Sequence, residues 1–182
     1  AIQVFGTLTI NNSGTSQSGM PDTGPAGGAI MNGTATSDSP AGGIYIAPGG
    51  QVTMNGGWIA LCTTSLSKTN NSSGSEEYYG SGGVYISENA SFTMNSGFIQ
   101  DCTTEVTKPS NHITAGGVVN NGTFTIETFV NITYGYQSTI PQVPSVYNCE
   151  NGIFTSNSGF VFGNIANKGP IQRTDPIPND AN

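Results

Sequence analysis

Residues 42–64 read GGIYIAPGGQVTMNGGWIALCTT, and residues 82–104 read GGVYISENASFTMNSGFIQDCTT. Tyr45 matches Tyr85, Thr53 matches Thr93, Met54 matches Met94, Asn55 matches Asn95 and Cys62 matches Cys102. A unit repeated along its whole length constrains the fold more than any other feature, because such repeats build arrays in which like stacks on like. Partial copies flank the pair. Residues 116–126, GGVVNNGTFTI, form a shortened unit, and residues 6–11, GTLTIN, supply a second half alone. Residues 27–30, GGAI, supply a first half, and NSGFV at 157–161 resembles NSGFI at 95–99.

Inside each copy the apolar residues alternate. Ile44 and Ile46 share a side, as do Val84 and Ile86, Val52 and Met54, Phe92 and Met94, and Phe124 and Ile126. Period two means strands with one buried face. Gly, Asn-Gly and Pro-Gly close each run after about four to six residues. No stretch has a helical period. The pattern predicts an all-β fold, a parallel β-helix (β-solenoid) whose short coils each hold three strands and three turns. Coils stacked about 4.8 Å apart place Phe92 on Val52 and Phe124 on Phe92, and let Asn55 and Asn95 form an amide ladder at a turn. Copies differ mainly by insertions at one corner, residues 65–79 and 106–113, which solenoids carry as loops on one face. A β-sandwich with two similar hairpins is the alternative. It does not account for the repeat, because neighbouring sandwich strands face different partners. The solenoid domain is expected over residues 1–164, its strand at 1–10 a candidate for exchange, with 165–182 as an extended Pro-rich tail.

Charge excludes several partners. Charged residues make up 8% of the chain, against about 25% in ordinary globular domains. The net charge is −7 with four basic residues, too few to replace counterions on phosphates or to hold an anionic membrane. No apolar run approaches the roughly 18 residues of a spanning helix. Neither nucleic acid nor membrane insertion is expected. The opening Ala1-Ile2-Gln3 reads as what signal-peptide cleavage leaves. Sequons at Asn11, Asn32, Asn70, Asn71, Asn89, Asn121 and Asn131 are glycosylation candidates and favour an extracellular or cell-surface location.

Catalytic chemistry finds little footing. The acids are scattered, and the adjacent pair Glu76-Glu77 falls in an insertion, where it reads as a solvated loop feature rather than a glycosidase dyad. Lys68 and Lys108 occupy corresponding places in the two insertions, and Arg173 lies in the Pro-rich tail. His112 is the one histidine, without a Gly-x-Ser-x-Gly elbow. One His and three non-adjacent Cys lack the paired spacing of a zinc site. Calcium through Glu76, Asp101 or Glu105 stays open, although no EF-hand pattern is present. No catalytic residue, metal or cofactor is expected. Cys62 and Cys102 hold the same position in adjacent copies, so stacking brings their Cα atoms to about 4.8 Å, within disulfide range. Their bridge is favoured over a pair of buried thiols in an oxidising compartment. Cys149 is left free, or pairs with Cys62 or Cys102 instead.

GGAI at 27–30, FTMN at 92–95 and NGTFTI at 121–126 resemble repeats of large surface proteins. These are the adhesin-like proteins of gut archaea and bacteria, and the chlamydial polymorphic outer-membrane proteins with their GGA[ILV] and FxxN motifs. The likeness runs over about residues 6–162. It implies a right-handed parallel β-helix on a cell surface.

Open sheet edges at the ends of a solenoid invite pairing. Residues 1–10, AIQVFGTLTI, read as an uncapped strand with alternating Ile2, Val4, Leu8 and Ile10. The expected function is that of a non-catalytic extracellular structural protein, either an adhesin-type β-helix or a pilus-like filament subunit joined end to end through terminal strands. The alternative is a carbohydrate-binding or carbohydrate-active β-helix, with host or matrix glycans stacking on Trp58, Phe98, Tyr45 and Tyr85. Ice binding needs unbroken threonine rows, and Thr7, Thr9, Thr53, Thr93, Thr123 and Thr125 read as an interrupted set.

Overall fold

The computed structural model describes residues 1–11, 28–35, 39–65, 67–70, 76–105, 112–127, 130–134, 143–157, 160–162 and 164–173. All regular structure among them is β. The strands fall into six successive tiers. The first holds β1 (Ile2–Val4), β2 (Thr7–Ile10), β3 (Ala29–Met31) and β4 (Thr34–Ala35). The second holds β5 (Ile44–Ile46), β6 (Gln51–Ala60), β7 (Thr63–Ser65), β8 (Ser67–Asn70) and β9 (Glu76–Ser81). The third holds β10 (Val84–Ile86), β11 (Ser91–Glu105) and β12 (His112–Ala115). Shorter tiers follow: β13 (Val118–Asn120), β14 (Thr123–Ile126) and β15 (Val130–Tyr134); β16 (Val146–Asn148), β17 (Ile153–Ser156) and β18 (Phe160–Phe162); then β19 (Ile165–Asn167) and β20 (Ile171–Arg173).

Each tier gives one strand to a six-stranded parallel sheet, in the order β1-β5-β10-β13-β16-β19. Further strands of each tier enter an eleven-stranded sheet, in which β2, β6, β11, β14, β17 and β20 follow one another, as do β3, β6, β11, β15 and β18. Every strand pairing described is parallel except that of β8 with β9. Because the pairing is in register, side chains line up in columns. Ile44, Val84, Val118 and Val146 form one inward column, all fully buried. Val52, Phe92, Phe124 and Phe154 form another. Phe124 lies between Phe92 and Phe154, with ring centroids 5.4 and 5.2 Å away. Ile30, Ile59, Ile99, Ile132 and Val161 form a third. These columns meet in one core. Burying a large apolar side chain is worth about 1.5–3 kcal/mol, so the columns are the main source of cohesion.

The expected stacking of Phe92 on Val52 and Phe124 on Phe92 is present. The paired glycines have a steric reason. A Cβ on Gly43 would stand 2.6 Å from the Gly83 carbonyl oxygen, and one on Gly83 2.5 Å from that of Gly117. The tiers close on each other at this point, and only glycine fits.

Three features differ from the sequence reading. The strands β6 and β11 run through corners instead of stopping after a few residues, with register shifts between Met94 and Ser96 and between Ser96 and Phe98. Gly57 and Gly97, at φ +93° and +115°, turn the chain there without ending the ladder. The insertions are more than loops: β8 and β9 form a hairpin, and β12 pairs with β9. This small sheet lies against the outer side of the six-stranded sheet, where Ala115, Val119, Tyr147 and Cys149 form a second apolar cluster with Tyr85 and Ile113. The stacked region also passes 164. Residues 165–167 and 171–173, read as the start of the tail, pair with β16 and β17 as a sixth tier. The strand at 1–10 pairs within its own chain, β1 with β5 and β2 with β6. Residues 174–182 lie outside the described residues.

Candidate functional site

The columns that face outward are the surfaces available to a partner. In the outer part of the eleven-stranded sheet, Thr9, Thr53, Thr93, Thr125 and Thr155 stand in one column. None of these five hydroxyls bonds another group among the described residues. The expected interruption lies in the neighbouring column instead, which runs Thr7, Gln51, Ser91, Thr123 and Ile153. Beyond the threonines lies an amide ladder. Asn95 Nδ2 donates to Asn55 Oδ1 at 2.7 Å, and Asn55 Nδ2 donates to Asn11 Oδ1 at 2.8 Å. Asn157 Nδ2 donates to Glu127 Oε1 at 2.9 Å further along the same side.

Sequence reasoning missed a second ladder. The inward position held by Val4, Ile46 and Ile86 continues as Asn120, Asn148 and Asn167. Asn120 Nδ2 donates to Asn148 Oδ1 at 2.7 Å, and Asn148 Nδ2 donates to Asn167 Oδ1 at 2.9 Å. Gly122 N–H donates to Asn120 Oδ1 at 3.1 Å, so the amide next to Ile86 keeps its acceptor satisfied. The signal was in the sequence as VVN-N-G, VYN-C-E-N-G and IAN-K-G.

The aromatic candidates for sugar stacking are half-buried and pack on one another. Trp58 and Phe98 stack with centroids 4.6 Å apart and planes 27° apart. Each ring covers one face of the other, and both side chains are half-buried. Tyr45 and Tyr85 do point away from the core, with centroids 6.1 Å apart. Tyr79, on β9, packs on Tyr85 at 5.7 Å. Burial under that layer raises the Tyr85 phenol well above its usual range.

The remaining candidates are dispersed. Asp101 is exposed, at φ +51°, and accepts a bond from Gln100 Nε2 at 2.9 Å. Glu76 and Glu77 are in register with Asn70 and Thr69, and Lys68 with Tyr78, across the hairpin. Glu105 ends β11 opposite Ser65, His112 begins β12 opposite Tyr78, and Arg173 ends β20 opposite Ser156. Among the described residues, no three His, Cys, Asp or Glu come close enough to hold a metal ion. Likewise, no described helix is long and apolar enough to cross a membrane. Lys108 lies outside the described residues.

Of the sequon asparagines, Asn32 and Asn89 are exposed in turns, with φ +55° and +60°. Asn11 is exposed and belongs to the outer ladder. Asn121 is half-buried, and its N–H donates to the Ile86 carbonyl. Asn131 lies in β15 between the register positions of Phe98 and Phe160, and Asn70 ends β8. Asn71 lies outside the described residues.

Cys62 and Cys102 are brought together. Thr103 N–H donates to the Cys62 carbonyl at 2.8 Å, and both thiols are free and buried, Cys62 Sγ donating to the Ala60 carbonyl at 3.3 Å and Cys102 Sγ to that of Gln100 at 3.4 Å. The closeness of the two thiols lowers the Cys62 pKa and, with burial, raises that of Cys102. Cys149 lies apart, in the outer cluster with Val119 and Tyr147, where burial pushes its pKa up to about 11.

Compared with family models, with curated proteins and with solved structures, the chain finds no match.

Proposed function

We propose that the chain is a right-handed parallel β-helix that acts outside the cell as a non-catalytic structural protein. It would be an adhesin-type surface element or the subunit of a filament joined through terminal strands. The hand follows from the crossover rule, since parallel strands of one sheet joined by a connection are right-handed in about 98% of cases. One observation carries the assembly. Among the described residues, β1, β2 and β3 each have a paired side and an open side, and the side chains at that edge are apolar. Leu8, Ile10 and Ile30 pack only partly against the core, and Ile2, Met31 and Phe5 are 41%, 46% and 73% exposed. Such an edge accepts a strand from another copy, because the next tier would repeat the contacts already made within the chain.

Backbone geometry supplies the test. Gly6 C=O accepts from Gln51 and Val4 C=O from Ala47, so the even-numbered residues face the neighbouring tier. Gln3 and Thr9 therefore turn their N–H groups to the open edge. Proline tolerates that position and blocks strand addition. Sedimentation of the parent chain should show species that grow with concentration, and Gln3→Pro with Thr9→Pro should return them to monomer with an unchanged β spectrum. A parent chain that stays monomeric at all concentrations removes the assembly.

The column of five threonines, followed by Gln172 in the sixth tier, favours a second reading, binding of an ordered water lattice such as ice through that face. Equal freezing and melting points in a concentrated solution of the protein would dismiss it.

A further inference from the structure

We propose that Cys62 and Cys102 are a disulfide-forming pair that ties the second tier to the third, and that Cys149 takes no part in it. The choice among the three cysteines rests on placement. Cys62 and Cys102 are fully buried in the main core, at matching points of adjacent tiers, between the register pairs Ala60–Gln100 and Thr63–Thr103. Parallel neighbours in register stand about 4.8 Å apart, inside the range that a disulfide bridges. Cys149 sits in the other apolar cluster, on the far side of the six-stranded sheet.

The two sulfurs are not equivalent. The pKa of Cys62 is lowered and that of Cys102 raised where the two thiols meet, so Cys62 is the first to become a thiolate. Oxidation runs by thiol–disulfide exchange with a small-molecule disulfide. The Cys62 thiolate attacks one sulfur of that disulfide and expels the other as a thiolate. Cys102 then loses its proton and attacks Cys62 Sγ, expelling the second thiolate. Two electrons pass from the protein to the small molecule, and the protein's two protons end on the two released thiols. Both sulfurs are buried in the folded chain, so exchange takes place during folding or from an opened tier.

The pairing rests on the stacking of tiers and not on the extracellular reading, and its test is independent of assembly. The full chain is reduced, unfolded and refolded in mixed oxidised and reduced glutathione, then alkylated, digested and mapped. The expected result is one peptide pair linking Cys62 to Cys102, with Cys149 alkylated. All three cysteines alkylated, or Cys149 found in an intramolecular bridge, overturns the proposal. Melting gives a second measure. Reduction should lower the midpoint of the oxidised chain by about 10 °C. Cys149→Ser should keep that difference and Cys102→Ser should abolish it. An equal midpoint for oxidised and reduced parent chain also counts against the pair acting as a tie.

Discussion

Two asparagine ladders run through the same stack, one at the surface and one in the core. The outer one, Asn11–Asn55–Asn95, and the inner one, Asn120–Asn148–Asn167, are built from the same amide-to-amide bonds of 2.7–2.9 Å. Their surroundings differ. Water can replace any partner lost from the outer ladder, whereas Asn120 and Asn148 are fully buried. A hydrogen bond exchanged with water contributes little, but a buried polar group left unpaired costs its full desolvation. The contrast teaches that an inward position of this stack need not be apolar. It must match the residue stacked on it.

The largest test of that contrast is Asn148→Leu. It removes the acceptor for Asn120 and the donor to Gly152, Asn167 and Pro170. Urea unfolding should show a loss of about 2–4 kcal/mol. Next comes a cycle. Asn120→Ile lengthens the aliphatic column of Ile46 and Ile86 by one tier, but strands the Gly122 N–H and the Asn148 acceptor. Adding Asn148→Ile restores like on like. The double variant should cost at least about 1 kcal/mol less than the sum of the single ones, and strict additivity would break the matching rule. Asn55→Ala in the outer ladder should cost under about 1 kcal/mol in the same assay. A loss as large as that of Asn148→Leu would erase the difference between the ladders.

The smallest effect sits at a corner. Asn32, Leu61 and Asp101 occupy equivalent turns at φ +55°, +55° and +51°. Asparagine and aspartate tolerate that conformation, while leucine is strained in it. Leu61 is also exposed. Leu61→Asn should raise stability by up to about 1 kcal/mol, seen as a higher melting midpoint.

Legibility followed the repeat. Where two copies are written alike, as at Tyr45 and Tyr85 or Met54 and Met94, the sequence places both residues and their register partner. The inner ladder was not legible, because an Asn closing a short apolar run before Asn-Gly reads as a turn. The hairpin β8–β9 and strand β12 were hidden among Ser, Asn and Gly, whose local preferences favour loops; their apolar partner is the outer side of a distant sheet. That layer is what covers Tyr85, so its partial burial was invisible in a strand read alone. Ile165 and Ile171 were masked by flanking glycine and proline. Their pairing depends on the tier before them rather than on their own pattern. The thiol pair was legible, being part of the repeat, while the location of Cys149 came only with the second cluster.

An electron micrograph of the purified chain at high concentration tests the central claim most directly. Stacked tiers that continue from copy to copy predict unbranched filaments of uniform width, with a repeat of about 4.8 Å along the axis in diffraction. Dispersed single particles at every concentration, with the chain folded and intact, would contradict it.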